Sequence, residues 1–148
     1  MKRLTTLVEK APIEADTSVS LTIDQRIKSR LKVVLDNGED AGLFLPRGRI
    51  LRGGDMVATE EGFTVRIIAA TESVSSVSAD SALLMAKLCY HLGNRHVPLE
   101  INACYLRYQH DHVLDEMVEL LGGKVVVERA PFEPESGAYG QHQTEHHH

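Results

Sequence analysis

The chain has 148 residues, 43% of them hydrophobic and 25% charged, and a net charge of −5. That length holds one ordinary domain or two small ones, with the composition of a globular protein. An acidic chain with 5% aromatics and no Trp is poorly suited to binding nucleic acid. No apolar run reaches the roughly 18 residues of a membrane helix. Residues 1–10 lack the apolar core of a secretion signal, so a cytoplasmic location is expected.

The two halves differ. Residues 1–70 carry eleven Lys+Arg and ten Asp+Glu, whereas residues 71–148 carry five and eleven together with all eight histidines. Two units with separate tasks are expected, residues 1–70 and 71–135, followed by a flexible tail over 136–148.

The first half reads as β. Short β-branched runs at 4–9 and 18–23 precede an alternating stretch at 26–33, with Arg26, Lys28, Arg30 and Lys32 on one side and Ile27, Ser29, Leu31 and Val33 on the other. Period two predicts a half-buried strand. Asn37-Gly38 then signals a hairpin, with a return strand at 41–45 that Pro46 ends. Another strand is predicted at 63–69, and the whole reads as a small barrel or sandwich. The basic side of 26–32, with Arg47, Arg49 and Arg52, either docks an acidic partner or guards an edge with charge.

The second half changes rhythm. A strand at 72–78 leads to a helix capped by Asp80 or Ser81, with the apolar stripe Leu84, Met85, Leu88, Cys89 and Leu92 and Gly93 as its stop. Strands follow at 97–101 and 104–108. A second helix starts at Asp111, carries Leu114, Met117, Val118 and Leu121, and halts at Gly122-Gly123. A last strand runs over 124–128. The order βαββαβ predicts a ferredoxin-like domain with both helices on one sheet face. Beyond Pro131 the chain loses periodicity.

The chemistry lies with the histidines, since neutral imidazole is the commonest metal ligand. His96 follows a helix stop and is presented by a loop. It is either a polar loop residue or, beside its own mate across a two-fold axis, one half of a shared metal site. His110 and His112 flank Asp111; in an extended segment both rings share one side. Asp111 either orients an imidazole or caps the helix. His91, in a last helical turn, reads as a partner of the helix dipole. His142, His146, His147 and His148 form a local metal signal, or a terminal run added for purification. Cys89 reads as core, and Cys104 as core or a soft ligand near the His pair. No C-x-x-C and no phosphate loop is present, Arg52-Gly53-Gly54-Asp55 being too short. No catalytic constellation emerges, and the chain reads as a protein other than an enzyme.

The stretch Cys89-Tyr90-His91-Leu92-Gly93-Asn94-Arg95-His96-Val97-Pro98-Leu99-Glu100 resembles the signature of the UreE family of urease accessory proteins, nickel metallochaperones. Gly42-Leu43-Phe44-Leu45-Pro46-Arg47-Gly48, Leu51-Arg52-Gly53-Gly54-Asp55, His110-Asp111-His112-Val113-Leu114-Asp115 and Pro131-Phe132-Glu133-Pro134-Glu135 agree in order along nearly the whole chain. The resemblance implies an α+β protein: an N-terminal all-β domain that handles protein partners, then a ferredoxin-like domain that binds Ni²⁺ and forms a homodimer. It implies that His96 is the interface ligand and that His110 and His112 form a second site. The histidines of the tail, His142, His146, His147 and His148, would hold further nickel. The implied partners are the urease accessory GTPase and the urease apoprotein with its other accessory proteins. Imidazoles also suit Cu²⁺ and Zn²⁺. Metal storage, a hydrolytic metal site around His110, Asp111 and His112, and a metal-free interaction module are the rival readings.

Overall fold

The computed structural model describes residues 1–9 and 14–138. The fold is α+β, in two compact units, Met1–Ala70 and Thr71–His148.

The first unit contains strands β1 (Lys2–Leu4), β2 (Thr6–Leu7), β3 (Thr17–Leu21), β4 (Arg30–Val34), β5 (Asp40–Phe44), β6 (Met56–Ala58) and β7 (Thr64–Ala69), and one helical turn, α1 (Ile23–Arg26). They form a three-stranded sheet, β1-β5-β4, and a four-stranded sheet, β2-β6-β7-β3. Leu4, Val33, Ala41 and Leu43 from the first sheet meet Val19, Leu21, Val57, Val65 and Ile67 from the second in one buried cluster, the sandwich of the two forms, barrel or sandwich, that the short strands and turns suggest. The hairpin stands where Asn37-Gly38 places it. Gly38 takes a φ of +92°, its N–H donates to Leu35 O at 2.8 Å, and β4 and β5 pair antiparallel from Arg30↔Phe44 to Val34↔Asp40.

The strand expected over 26–33 is corrected. Its first residue closes α1 instead, and the strand begins at Arg30. Thr22 and Gln25 form a capping box, in which Gln25 Oε1 accepts the Thr22 N–H at 3.0 Å, and that local helix signal overrides the alternation. Arg26 is therefore fully buried rather than part of a basic face. Its Nε donates to Leu21 O at 3.1 Å and its Nη1 to Leu51 O at 3.2 Å. The run at 4–9 also splits, β1 joining one sheet and β2 the other.

The second unit runs β8 (Thr71–Ser78), α2 (Ala82–Asn94), β9 (Glu100–Ile101), β10 (Leu106–Gln109), α3 (His112–Leu120) and β11 (Lys124–Pro131). The sheet order is β11-β8-β10-β9 with every pair antiparallel, the ferredoxin-like arrangement. Ser81 caps α2, its Oγ accepting from Leu84 N at 3.0 Å. Leu88 and Leu92 of α2 and Leu114 and Val118 of α3 pack with Val77, Leu106 and Tyr108. Those sheet residues alternate on one face, so both helices cover the same side. Gly122 stops α3 with a φ of +105°. At Gly123 a Cβ would lie 2.7 Å from Val118 Cγ1 and 3.0 Å from Leu88 Cδ1, so only Gly permits this close approach.

The other sheet face carries a polar row. Arg107 Nε donates to Ser76 Oγ at 3.0 Å, and its Nη1 and Nη2 lie 3.7 Å from Glu100 and 3.5 Å from Glu128. Residues 132–135, where the chain loses periodicity, are tied to the second unit. Phe132 is fully buried, Glu133 N donates to Glu100 Oε1 at 2.9 Å, and Glu135 N donates to Leu99 O at 2.7 Å. Of the tail expected over 136–148, Ser136–Ala138 form a 3-10 turn.

Candidate metal centre

His96 owes its place to the way α2 ends. The helix does not stop at Gly93. It runs through Asn94, with Arg95 as its C-cap. Arg95 N donates to Leu92 O and His96 N to Gly93 O, both at 3.0 Å, tightening the last turn. His96 then takes a φ of +57°, the one positive φ outside glycine among the described residues. This left-handed position after a C-cap is usually given to Gly, and a side chain there stores about 1 kcal/mol or more. The strain re-aims the chain before Val97-Pro98 and leaves His96 exposed.

His96 lies between two hollows. One, of about 360 Å³, is shared with Cys89, Leu99, Ile101 and Glu135. The other, of about 370 Å³, is shared with Pro98, Gln109, His110 and Leu114. His96 and His110, expected in separate sites, thus border one hollow of a single chain.

His110 ends the β10 ladder, its N–H donating to Ser73 O at 3.1 Å. Its Nδ1 lies 3.2 Å from Asp115 Oδ2 and 3.2 Å from Ser75 Oγ. The other carboxylate oxygen, Asp115 Oδ1, accepts from Tyr108 Oη at 2.6 Å. Burial first, and then the hydrogen bond to the Asp115 carboxylate, push the Tyr108 phenol well above its ordinary pKa, so it stays a protonated donor.

Of the two roles open to Asp111, the geometry shows the cap. Its Oδ1 accepts from Val113 N at 2.9 Å and Leu114 N at 3.2 Å. The carboxylate beside an imidazole is instead Asp115, which the sequence reading missed. The expected extended His-x-His is also corrected, because His112 is the first residue of α3. Its exposed ring meets Glu116 at 4.0 Å, while His110 turns to Asp115. His91 sits in the last turn of α2, edge-on to Tyr90 at 5.3 Å. Cys89 is half-buried, and burial pushes its thiol up, which disfavours a thiolate ligand. Cys104 is exposed, outside β10 rather than in the expected strand. His142, His146, His147 and His148 lie outside the described residues. Among the described residues no three His, Cys, Asp or Glu side chains gather into a group able to hold a metal ion.

Comparison with known proteins matches both units in order. Residues 2–70 match the family model "UreE urease accessory protein, N-terminal domain", and residues 72–148 match the model of its C-terminal domain. Proteins named urease accessory protein UreE align over most of the chain. The one from Tolumonas auensis is 60% identical over 93% of this chain and 73% of its own length. Those from Shewanella halifaxensis and Proteus mirabilis are 54% and 52% identical over 95% of this chain, covering 81% and 91% of their own lengths. These relatives are named as accessory proteins of urease, not as the enzyme itself. With each unit matched by its own family model and more than half of the aligned residues shared, the chain belongs to the UreE family of urease accessory proteins.

Proposed function

We propose that this chain is a nickel metallochaperone of urease maturation, with Ni²⁺ as its cargo. It dimerises through its second unit, so that two copies of His96 share an ion on the two-fold axis. The observation that carries the reading is His96 itself. A histidine stands exposed, in a left-handed backbone position that favours Gly, on a unit whose described residues gather no group of three or more ligands. Strain kept at one polar residue points to a use for that residue, and an isologous contact doubles a single imidazole at no cost in sequence.

The chemistry suits a carrier. Neutral imidazoles bind borderline cations such as Ni²⁺, and Cu²⁺ and Zn²⁺ as well. Two rings leave coordination positions open to water, to a tail histidine or to a ligand of the acceptor. Each tenfold gain in affinity adds about 1.4 kcal/mol to what handover must overcome, so an open imidazole site transfers more readily than a closed thiolate cage. Protons compete for the same nitrogens, and uptake weakens on acidification. In this reading His110 and His112 bind further ions, as do His142, His146, His147 and His148. The acceptors are the urease apoprotein, its accessory GTPase and its other accessory proteins, in the cytoplasm. The family name supports the accessory role, and among the described residues no helix is long and apolar enough to cross a membrane.

Calorimetry with Ni²⁺ on the wild type and on His96→Ala tests the reading. The variant loses the tightest binding event; an unchanged isotherm overturns the assignment. Release of that ion to urease apoprotein separates a chaperone from a storage protein, which keeps it.

A further inference from the structure

We propose that Asp115 is the positioning residue that makes His110 an oriented ligand, one that offers its Nε2 to the ion. The inference rests on the reading of His110 as a nickel ligand and deepens it. Asp115 divides its carboxylate between two partners. Oδ1 accepts from the Tyr108 hydroxyl at 2.6 Å, and Oδ2 lies 3.2 Å from His110 Nδ1. An ionised carboxylate can only accept, so the neutral ring carries its proton on Nδ1 and keeps its lone pair on Nε2. Ser75 Oγ, 3.2 Å from the same nitrogen, adds a second oxygen on that side.

The hold is rigid because its base is buried. Tyr108 and Ser75 are fully buried, and the Asp115 side chain is 14% exposed. Tyr108 lies on β10 and Asp115 on α3. The hydrogen bond between them holds the carboxylate across the strand-to-helix corner, where Oδ2 faces the ring at 3.2 Å and Ser75 Oγ is hydrogen-bonded to the same nitrogen. A ligating imidazole almost always has such a partner on its second nitrogen, which fixes the tautomer and raises the basicity of the first. His112 has no comparable hold, since a contact of 4.0 Å to the exposed Glu116 is too long and too wet to fix a ring. The geometry therefore ranks the two histidines: His110 is pre-oriented and His112 is not. His96 lines the same hollow as His110, so the oriented ring and the proposed interface ligand border one space.

The test combines nitrogen-15 NMR of the His110 ring in the metal-free protein with calorimetry of Ni²⁺ alone. Four full-chain variants are compared with the wild type: His110→Ala, Asp115→Ala, Asp115→Asn and the double variant Asp115→Ala with Tyr108→Phe. The double variant removes the buried hydroxyl that would otherwise lose its acceptor, so a folded protein without the carboxylate is available. The expected wild-type ring is protonated at Nδ1. Removing the carboxylate, alone or with Tyr108→Phe, gives mixed tautomers and weakens the His110-dependent binding about 10- to 100-fold. Asp115→Asn, with one amide oxygen for the two donors Tyr108 Oη–H and His110 Nδ1–H, recovers part of the tautomer preference and part of the affinity. A purely structural role would not move the tautomer or be rescued in that order. A wild-type ring protonated at Nε2, or an unchanged tautomer and isotherm in the double variant, overturns the proposal. If His110→Ala loses a binding event and the double variant does not, the positioning role alone falls. If His110→Ala binds like the wild type, the ligand reading falls and the inference with it.

Discussion

At the scale of single residues, two side chains occupy places that general preferences would deny them. His96 holds a φ of +57°, where Gly is free of strain. His96→Gly is therefore expected to stabilise the second unit by about 1 kcal/mol while removing the ion, whereas His96→Ala removes the ion and keeps the strain. Urea unfolding of the metal-free variants reads the difference; a destabilised His96→Gly would show that the backbone there is not strained. Arg26 is the second case. Its guanidinium is fully buried against the carbonyls of Leu21 and Leu51. Arg26→Leu removes the guanidinium donor from Leu51 O, while Leu21 O keeps the Ala70 N–H at 2.9 Å, and should cost about 1–3 kcal/mol in the first unit, the penalty for one unsatisfied buried group. Neither place was legible in the sequence. A capping box four residues long outweighed an eight-residue alternation at Arg26, and the stop expected at Gly93 moved on to the histidine that the loop was thought merely to present.

At the scale of elements, strong local signals survived and weak ones gave way to tertiary pairing. Ser81, Asp111 and Asn37-Gly38 act where their side-chain chemistry puts them. The strand expected at 97–101 shrinks to Glu100–Ile101, because Pro98 has no N–H to give a ladder and His96 has just turned the chain. Met56–Ala58 became β6 unannounced; three apolar residues between glycine turns carry no period, and their partners lie in β2 and β7. The same logic hid Asp115. Its approach to His110 depends on the angle between β10 and α3, which no sequence spacing states. The two aspartates should thus separate by experiment. Asp111→Ala removes a cap and costs about 1 kcal/mol without changing the His110 tautomer. Gly123→Ala probes the packing of that helix from below. Its new Cβ, 2.7 Å from Val118 Cγ1, should overpack the core by about 1–3 kcal/mol, read as a lower urea midpoint with an unchanged slope.

At the scale of the whole molecule, the proposed shared ion makes a prediction that neither one residue nor one element could. If a single Ni²⁺ is held by His96 from two chains, the ion belongs to the dimer and hardly at all to the monomer. Binding and association are then linked, and each must promote the other. At a free ion concentration about 100 times its dissociation constant, the linkage is worth about 2.7 kcal/mol, or about a hundredfold tighter dimer. Sedimentation of dilute fluorescent protein with and without Ni²⁺ measures this shift directly. His96→Ala is expected to dimerise like the metal-free wild type and to show no response to the ion, because the chain contact stays and the bridge is gone. Sites on His110 or on the terminal histidines bind equally well in monomer and dimer and leave the association constant where it was. Nickel that binds the wild type tightly yet leaves its dimerisation unmoved would therefore place the cargo within single chains, and the exposed, strained His96 would need another explanation.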